Sequence, residues 1–284
     1  MTIRKAYHQT KSELDAIYPS GEAQAIVDLL FLELLHISKS DLIIKPDQIL
    51  APNEMSLLIE KTNELREFKP IQQVIGKAHF LGYDFLVDSS VLIPRPETEE
   101  LVLLVEVCIS NVFAASILDI GSGSGCIPIS LHKRNPNTKI QSIDVSEHAL
   151  RIAKQNNKII GSSVDFILQD FLDELKWENL GIFDVIVSNP PYIPLAEKQT
   201  LDKNVTMYEP ELALFVPDNR PLLFYEKIAA FSFTHLKKNG AVIMETHENY
   251  ANEVAQLFES NGFISEVIKD GFNKKRFVWA NRCH

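Results

Sequence analysis

The chain has 284 residues, of which 45% are hydrophobic and 23% charged, and its net charge is -10. This is the composition of an ordinary globular protein, with room for one large domain or two smaller ones. The excess of acidic residues argues against a broad nucleic-acid-binding face, because such a face needs basic residues to displace counterions. A local basic patch is still compatible with this charge.

The sequence predicts neither a membrane anchor nor a metal site. No run approaches the roughly 18 uninterrupted apolar residues that span a bilayer, and the first residues lead into polar sequence instead of an apolar signal core. We therefore expect a cytoplasmic protein without membrane contact. Cys108, Cys126 and Cys283 are too few and too scattered for a disulfide framework or a Cys-x-x-Cys site, so free thiols are expected. The histidines show no paired spacing, and no metal is inferred.

Helical periodicity dominates the first part of the chain. Residues 25–35 form one candidate helix, and residues 54–61 form another, for which Asn53 is a candidate N-cap. This segment contains neither a glycine loop nor a catalytic cluster. We therefore expect residues 1–75 to form a helical substrate-recognition domain.

A short β-hairpin is predicted to follow. Residues 78–87 have a central glycine between aromatic and β-branched residues, which is typical of a hairpin. We take residues 76–95 as a linker between domains. Residues 93–100 then open a helix, with prolines before it and acidic residues in its first turn. The second domain is expected to occupy residues 96–284.

Short apolar strands alternate with helical stretches in the second domain. The strands are predicted at residues 117–120, 139–143, 164–168, 183–187 and 241–244. Such alternation indicates an α/β fold with a mainly parallel sheet and helices on both faces. Residues 263–268 and 276–280 are close enough in the chain to finish the sheet as an antiparallel hairpin.

A glycine-rich turn follows the first of these strands. Gly121, Gly123 and Gly125 stand at alternate positions, where they let the backbone approach a ligand closely and adopt positive φ. The spacing is GxGxG and not the GxGxxG of a dinucleotide grip, and no Gly-Lys-Ser/Thr sequence of a P-loop occurs. Alone, the turn is a weak indication of a cofactor site.

Acidic residues end the next two strands. Asp144 could accept both hydroxyls of a ribose, as acidic residues do in dinucleotide folds, or it could cap the helix that follows at Ser146. Beside the glycine turn, the ribose role is favoured. Asp170 could accept from the amine of an adenine while Phe171 covers a ring face. A core phenylalanine beside a turn aspartate is an equally good interpretation of that pair.

The strand at 183–187 leads into Ser188-Asn189-Pro190-Pro191-Tyr192. Two successive prolines fix φ and donate no hydrogen bonds, so this turn is rigid and consists largely of acceptors. A planar NH₂ group with two donors could bind there under an aromatic ring. The pattern therefore favours transfer of a group to an amide or amino nitrogen, although Asn-Pro and Pro-Pro also occur in plain turns.

With these motifs in this order, the chain resembles the class I S-adenosylmethionine-dependent methyltransferases. It looks most like the release factor glutamine methyltransferase family, and the resemblance covers nearly the whole chain. Further family-like pieces are the small helical front domain and the segments at residues 94–99, 208–210 and 213–214. One departure is that Glu245 is followed by Thr246-His247, where the family often has Glu-x-Gly, which leaves the role of Glu245 open.

The resemblance implies a Rossmann-like seven-stranded methyltransferase sheet with a small N-terminal helical domain. It implies S-adenosylmethionine as cofactor, with S-adenosylhomocysteine as product, and the cofactor-binding residues Gly121, Ser122, Gly123, Ser124, Gly125, Asp144, Asp170, Phe171 and Asn189. The implied methyl acceptor is the side-chain amide nitrogen of the glutamine in the Gly-Gly-Gln motif of class-1 peptide chain release factors. The resemblance implies that the substrate is bound by Asn189, Pro190, Pro191 and Tyr192, and that the catalytic residues are Asn189, Pro190 and Tyr192. A monomer without a direct nucleic-acid substrate is expected.

Three other functions compete with this interpretation. The Asn-Pro-Pro-Tyr turn also occurs in enzymes that methylate amino groups of nucleic acids, so an adenine or guanine amino-methyltransferase is the nearest alternative. The acidic charge and the compact helical front domain disfavour it. The intact turn weighs against a non-catalytic adaptor, and the GxGxG spacing weighs against a dehydrogenase.

Overall fold

The computed structural model describes residues 1–282, so Cys283 and its predicted thiol state lie outside the described residues. The α-helices, in chain order, are α1 (Ile3–Asp15), α2 (Ser20–Leu35), α3 (Lys39–Ile44), α4 (Pro52–Arg66), α5 (Ile71–Ile75), α6 (Pro96–Ile109), α7 (Cys126–Arg134), α8 (Glu147–Ile160), α9 (Lys203–Tyr208), α10 (Glu211–Leu214), α11 (Leu223–His235) and α12 (Ala251–Ser260). Short 3₁₀ helices occupy Glu174–Asn179 and Leu195–Thr200. Within residues 1–282, no helix has the length and apolar character needed to cross a membrane.

The strands form one large sheet and two small ones. They are β1 (Lys77–Phe80), β2 (Tyr83–Leu86), β3 (Ser116–Ile120), β4 (Lys139–Asp144), β5 (Asp165–Leu168), β6 (Phe183–Ser188), β7 (Ile193–Pro194), β8 (Phe215–Val216), β9 (Leu236–Glu245), β10 (Phe263–Lys269) and β11 (Lys275–Arg282). The large sheet has seven strands in the order β10-β11-β9-β6-β3-β4-β5. Its first five strands in the chain pair in parallel, and β11 pairs antiparallel with both β9 and β10.

This architecture confirms the predicted α/β fold with a seven-stranded sheet. Each of the seven strands predicted in the second domain is present, with ends that differ by at most a few residues. The predicted hairpin is the pair β1 and β2, and the predicted helix after the prolines is α6. Alternation of apolar strands with helices was a strong signal here because a parallel sheet buries both of its faces.

The prediction that Asn53 caps a helix is wrong. Helix α4 begins one residue earlier, at Pro52, which needs no N–H partner at the first helical position. Asn53 therefore lies inside the first turn. The backbone N–H of Ala51 donates to Glu54 Oε2 at 2.7 Å, so the carboxylate of Glu54 satisfies this helix end instead.

The chain divides into two compact units. The first contains Met1–Lys77 and also the later segment Asp202–Tyr208. Its core is built from apolar side chains of the first helices, among them Leu14, Leu30, Phe31, Leu58 and Leu65. Two hydrogen bonds attach the later segment: Gln73 Nε2 donates to the Tyr208 carbonyl at 2.9 Å, and the Tyr208 hydroxyl donates to the Glu67 carbonyl at 2.8 Å.

The second unit contains Ala78–Leu201 and the described residues from Glu209 onward. Neighbouring residues of each central strand pack on opposite faces of the sheet. Ile117 and Val185 belong to the apolar cluster that includes α6 and α7 residues, whereas Leu118 and Ile186 belong to the cluster that includes α11 and α12 residues. The carboxyl ends of β3, β4 and β6 consequently meet at one edge, which is where ligands bind in open α/β sheets.

Substitution of Gly125 should destabilise the second unit more than substitution of another left-handed glycine. A Cβ on Gly125 would stand 2.8 Å from Ile129 Cδ1 and 3.2 Å from Ala153 Cβ, at a φ of +82°. We expect Gly125→Ala to lose about 1–3 kcal/mol for overpacking beyond the loss due to φ. Gly161→Ala is the matched control, because its φ is +73° and a Cβ there contacts nothing within 4 Å. Urea unfolding of both variants measures the difference, and equal losses would contradict the packing argument.

Candidate active site

A cavity of about 250 Å³ lies in the second unit at the carboxyl ends of the central strands. The segments that line it follow β3, β4, β5 and β6, at residues 120–124, 143–146, 169–172 and 189–191. Of the residues predicted to form the site, all line this cavity except Gly125 and Tyr192. The sheet thus brings together motifs that are far apart in the sequence.

The glycine loop is held by a chain of buried hydroxyl groups. Gly121, Gly123 and Gly125 have φ angles of 90°, 52° and 82°, which few other residues adopt. The hydroxyls of Ser122 and Ser142 lie 2.6 Å apart, and Ser142 Oγ donates to Asp119 Oδ2 at 2.6 Å. The last residue of the loop, Gly125, packs into the core beneath it.

Asp144 joins the glycine loop to the end of β4. Its Oδ2 accepts the Gly123 N–H at 2.9 Å, and its Oδ1 accepts the Ser146 N–H at 2.8 Å. Burial raises the pKa of this carboxyl, against the effect of those bonds. The N-cap of α8 is Ser146, whose Oγ accepts the Ala149 N–H at 3.2 Å. Asp144 therefore braces the loop and also presents a carboxylate to the cavity.

Asp170 and Phe171 form the part of the wall that follows β5. Asp170 Oδ1 accepts the Leu172 N–H at 2.9 Å. Phe171 is 4% exposed, stacks on Trp177 with ring centroids 5.5 Å apart and meets Phe231 edge-on. Most of its ring therefore contacts protein, and only a small part lies in the cavity wall.

The Asn-Pro-Pro-Tyr turn divides its side chains between the cavity and the interior. Asn189, Pro190 and Pro191 line the cavity. Asn189 Nδ2 donates to Thr98 Oγ1 at 3.1 Å, whereas its Oδ1 accepts no hydrogen bond within residues 1–282. The hydroxyl of Tyr192 donates to Glu245 Oε1 at 3.2 Å. Burial, and next the charge of Glu245, raise the pKa of Tyr192, so its hydroxyl stays protonated.

Two polar residues behind this turn were not assigned to the site from the sequence. Thr98, in the first turn of α6, and Glu245, the last residue of β9, are 3% and 2% exposed, and Thr98 Oγ1 donates to Glu245 Oε2 at 2.8 Å. The sequence feature that could have placed Glu245 in the site is its position at the end of a predicted strand. In the parallel pairing of β6 with β9, Ser188 lies opposite Met244, so the next residues, Asn189 and Glu245, end at the same edge.

A buried ion pair holds another part of the cavity wall. Glu209 is 5% exposed, and its carboxylate binds the guanidinium of Arg95 and accepts the Ile93 N–H at 3.0 Å. Arg95 and the residues just after Glu209, Pro210 and Leu212, line the cavity. The segments at residues 94–99 and 208–214, which the sequence singled out, are therefore joined in the structure.

Replacement of Asp119 by asparagine should change how stability depends on pH. Complete burial raises the pKa of Asp119 to about 8, whereas an unfolded aspartate titrates near ~3.9. Between these two pKa values the folded chain keeps a proton on Asp119 that the unfolded chain has lost. The contribution of Asp119 to the free energy of unfolding is therefore fully present below about pH 4 and is lost as the pH rises through about 8.

Asp119→Asn removes that titration while keeping the shape of the side chain. We expect the Tm of the variant, relative to the unaltered protein, to rise steadily between about pH 5 and pH 8. Thermal unfolding at a series of pH values measures the difference. A difference in Tm that does not change with pH would contradict the assigned pKa.

Two family descriptions match the chain. Residues 5–76 match the PrmC N-terminal domain, and residues 101–207 match the methyltransferase small domain. The first match falls within the helical unit. The second contains the glycine loop, Asp144 and the Asn-Pro-Pro-Tyr turn.

Relatives match over nearly the full length of the chain. The release factor glutamine methyltransferase of Bacteroides thetaiotaomicron is 40% identical over 273 residues, which are 96% of this chain and 97% of the relative. That of Flavobacterium psychrophilum is 38% identical and covers 99% of both chains. Identity at this level extends over both units and is not confined to the cofactor loop.

Solved structures of more distant proteins share the fold. The Thermus thermophilus 16S rRNA N2 G1207 methyltransferase, solved with AdoMet and guanosine, superimposes with a TM-score of 0.52 at 16% identity over 73% of this chain and 50% of that chain. A methyltransferase from Pyrococcus furiosus gives a TM-score of 0.50 at 16% identity over 82% of this chain and all of that chain. At this identity the likeness establishes the methyltransferase fold alone.

Proposed function

The chain belongs to the release factor glutamine methyltransferase family, and from this premise we propose that its methyl acceptor is the glutamine of the Gly-Gly-Gln motif in class-1 peptide chain release factors. The enzyme is a methyltransferase that uses S-adenosylmethionine. The observation that carries the proposal is that two residues lining the cavity have acceptor atoms that no described residue uses. Asn189 Oδ1 and the Pro190 carbonyl oxygen accept no hydrogen bond from residues 1–282.

The cavity fits S-adenosylmethionine on its own geometry. A Cβ on Gly121 would have one neighbour within reach, the Asn189 carbonyl oxygen at 4.0 Å, so glycine keeps open the space between the loop and the turn. Asp144 lines the same cavity and retains free acceptor positions for ribose hydroxyls. We propose that residues 121–124, Asp144, Asp170 and Phe171 hold this cofactor, together with Asn189 at the end nearest the acceptor, while Gly125 supports the loop from the core.

The residues of the turn would have to make a poor nucleophile react. An amide nitrogen shares its electron pair with the carbonyl, so positioning must supply much of the rate. Asn189 Oδ1 and the Pro190 carbonyl would accept the two N–H bonds and aim the nitrogen along the line of attack. As the nitrogen becomes positive, both acceptors bind it more strongly, which stabilises the transition state.

When bound, the cofactor would supply an electrophilic methyl group. The nitrogen pair would form the N–C bond, the electrons of the C–S bond would stay on sulfur to give S-adenosylhomocysteine, and one N–H proton would pass to solvent water. Pro190 and Pro191 hold the turn rigid, because their rings fix φ and leave the carbonyls as acceptors. We propose that Tyr192, which does not line the cavity, supports the same turn from the interior. Its hydroxyl is already bound to Glu245, so it does not act as a base.

The location and the state of assembly are part of the same proposal. We propose a cytoplasmic enzyme, because release factors act in translation there, and one that works as a monomer. The net charge of -10 disfavours a direct nucleic-acid substrate. Adenine or guanine amino-methylation is the alternative, because the same acceptor turn would suit an exocyclic amine.

The substrate is tested with labelled S-adenosylmethionine and three acceptors: a purified class-1 release factor, the same factor with its motif glutamine changed to alanine, and DNA. We expect label on the unaltered factor only. Label on DNA, or undiminished label on the altered factor, would overturn the proposed substrate.

Two substitutions should separate transfer from cofactor binding. Asn189→Ala removes an acceptor for the substrate amide, and we expect kcat to fall about a hundredfold or more with little change in affinity for S-adenosylhomocysteine. Asp144→Ala should instead weaken that affinity, because the loop loses its brace and the ribose its acceptor. Turnover assays and calorimetry measure the two effects. Normal turnover in the first variant would remove Asn189 from the mechanism, and unchanged affinity in the second would remove Asp144 from the cofactor site.

A further inference from the structure

Glu245 has a buried carboxylate to which the proposed mechanism assigns no role. It is 2% exposed and ends β9, next to the strand end that carries Asn189. Its backbone carbonyl accepts the Tyr225 hydroxyl at 3.1 Å, which fixes the strand end, but this bond does not involve the carboxylate. A buried carboxylate is costly unless it is hydrogen-bonded, so its partners indicate what it does.

Both carboxylate oxygens receive hydroxyl donors. Thr98 Oγ1 donates to Oε2 at 2.8 Å, and the Tyr192 hydroxyl donates to Oε1 at 3.2 Å. Burial raises the pKa of Glu245, while the Thr98 bond, the charge of Arg276 and the Tyr192 bond oppose that effect by stabilising the ionised form. Each carboxylate oxygen thus accepts one hydroxyl, and both hydroxyls point their protons at Glu245.

The direction of these bonds determines the orientation of Asn189. A threonine hydroxyl has one proton, and Thr98 uses it on Glu245. Toward Asn189, Thr98 can therefore only accept, and it receives Nδ2 at 3.1 Å. The NH₂ end of the carboxamide is thus held by Thr98, and Oδ1, which accepts no hydrogen bond within residues 1–282, remains as the acceptor for a substrate.

We propose that Glu245 and Thr98 are positioning residues that fix which end of the Asn189 carboxamide faces the substrate. This inference deepens the proposed function and rests on it. If the Asn189 carboxamide were reversed, its NH₂ group would face the NH₂ group of the substrate. Two donors cannot form a hydrogen bond with each other, so the substrate nitrogen would not be aligned. An isolated carboxamide has no strong preference between the two orientations, so the hydroxyl and the carboxylate behind it select one.

Thr98 provides the first test, with a matched pair of variants. Thr98→Val keeps the shape and removes the hydroxyl, and we expect kcat for a purified release factor to fall about tenfold, the effect of losing one directed hydrogen bond. KM for the factor and the affinity for S-adenosylhomocysteine should stay within about threefold, because Thr98 makes no proposed hydrogen bond to either molecule and valine preserves its shape. Thr98→Ser restores the hydroxyl and should recover most of kcat. Unchanged kcat in the valine variant, or equal loss in both, overturns the proposal.

Glu245→Gln provides a second test that does not depend on the Thr98 variants. A carboxamide at this position can donate to Thr98 as well as accept from it, so the direction of the bonds is no longer fixed, and kcat should fall about fivefold or more. Unchanged kcat overturns the proposal.

The double variant Thr98→Val/Glu245→Gln separates positioning from general stability. If Glu245 acts on Asn189 through Thr98, kcat of the double variant should equal that of Thr98→Val alone. Multiplied losses overturn the proposal. Failure of the unaltered enzyme to label the release factor would instead contradict the proposed function, so the two failures are distinguishable.

Discussion

The parallel register of the central strands is the constraint on which the site depends. Because parallel strands end at the same edge, pairing of β3 with β4 and β6 brings the glycine loop, Asp144 and Asn189 to one cavity. The hydroxyl of Ser188 donates to the Ile120 carbonyl at 2.7 Å and ties two of these strand ends directly. Each loop contributes different side chains, and the sheet brings them to the same cavity.

The features that the sequence predicted are those encoded by residues close together in the chain. The seven strands follow from short apolar runs between turns, and the two motifs follow from glycine and proline spacing, whose backbone effects are local. The interpretation of Asp144 as the helix cap is wrong, because Ser146 caps α8, and the ribose role of Asp144 stays a prediction. Its carboxylate does bond near the start of α8, through the Ser146 N–H, but Ser146 is the cap and Asp144 faces the cavity as well.

The features that it did not predict depend on contacts between distant residues. Thr98 and Glu245 are 147 positions apart, and only the packing of α6 against the end of β9 makes them partners. The membership of Asp202–Tyr208 in the first unit depends in the same way on bonds from Gln73 and to Glu67. Asn53 was mistaken for a cap because a neighbouring proline and Glu54 satisfy the helix end better than its own side chain.

The return of Asp202–Tyr208 to the first unit makes that unit discontinuous in the chain. A truncated protein beginning at Ala78 would retain this segment but lose Gln73 and Glu67, to which Tyr208 is bonded. Glu209, the next residue, anchors Arg95 in the cavity wall. Removal of the helical front would thus take away both bonding partners of Tyr208. To transfer the whole first unit between relatives, two separate pieces of chain would have to be exchanged together.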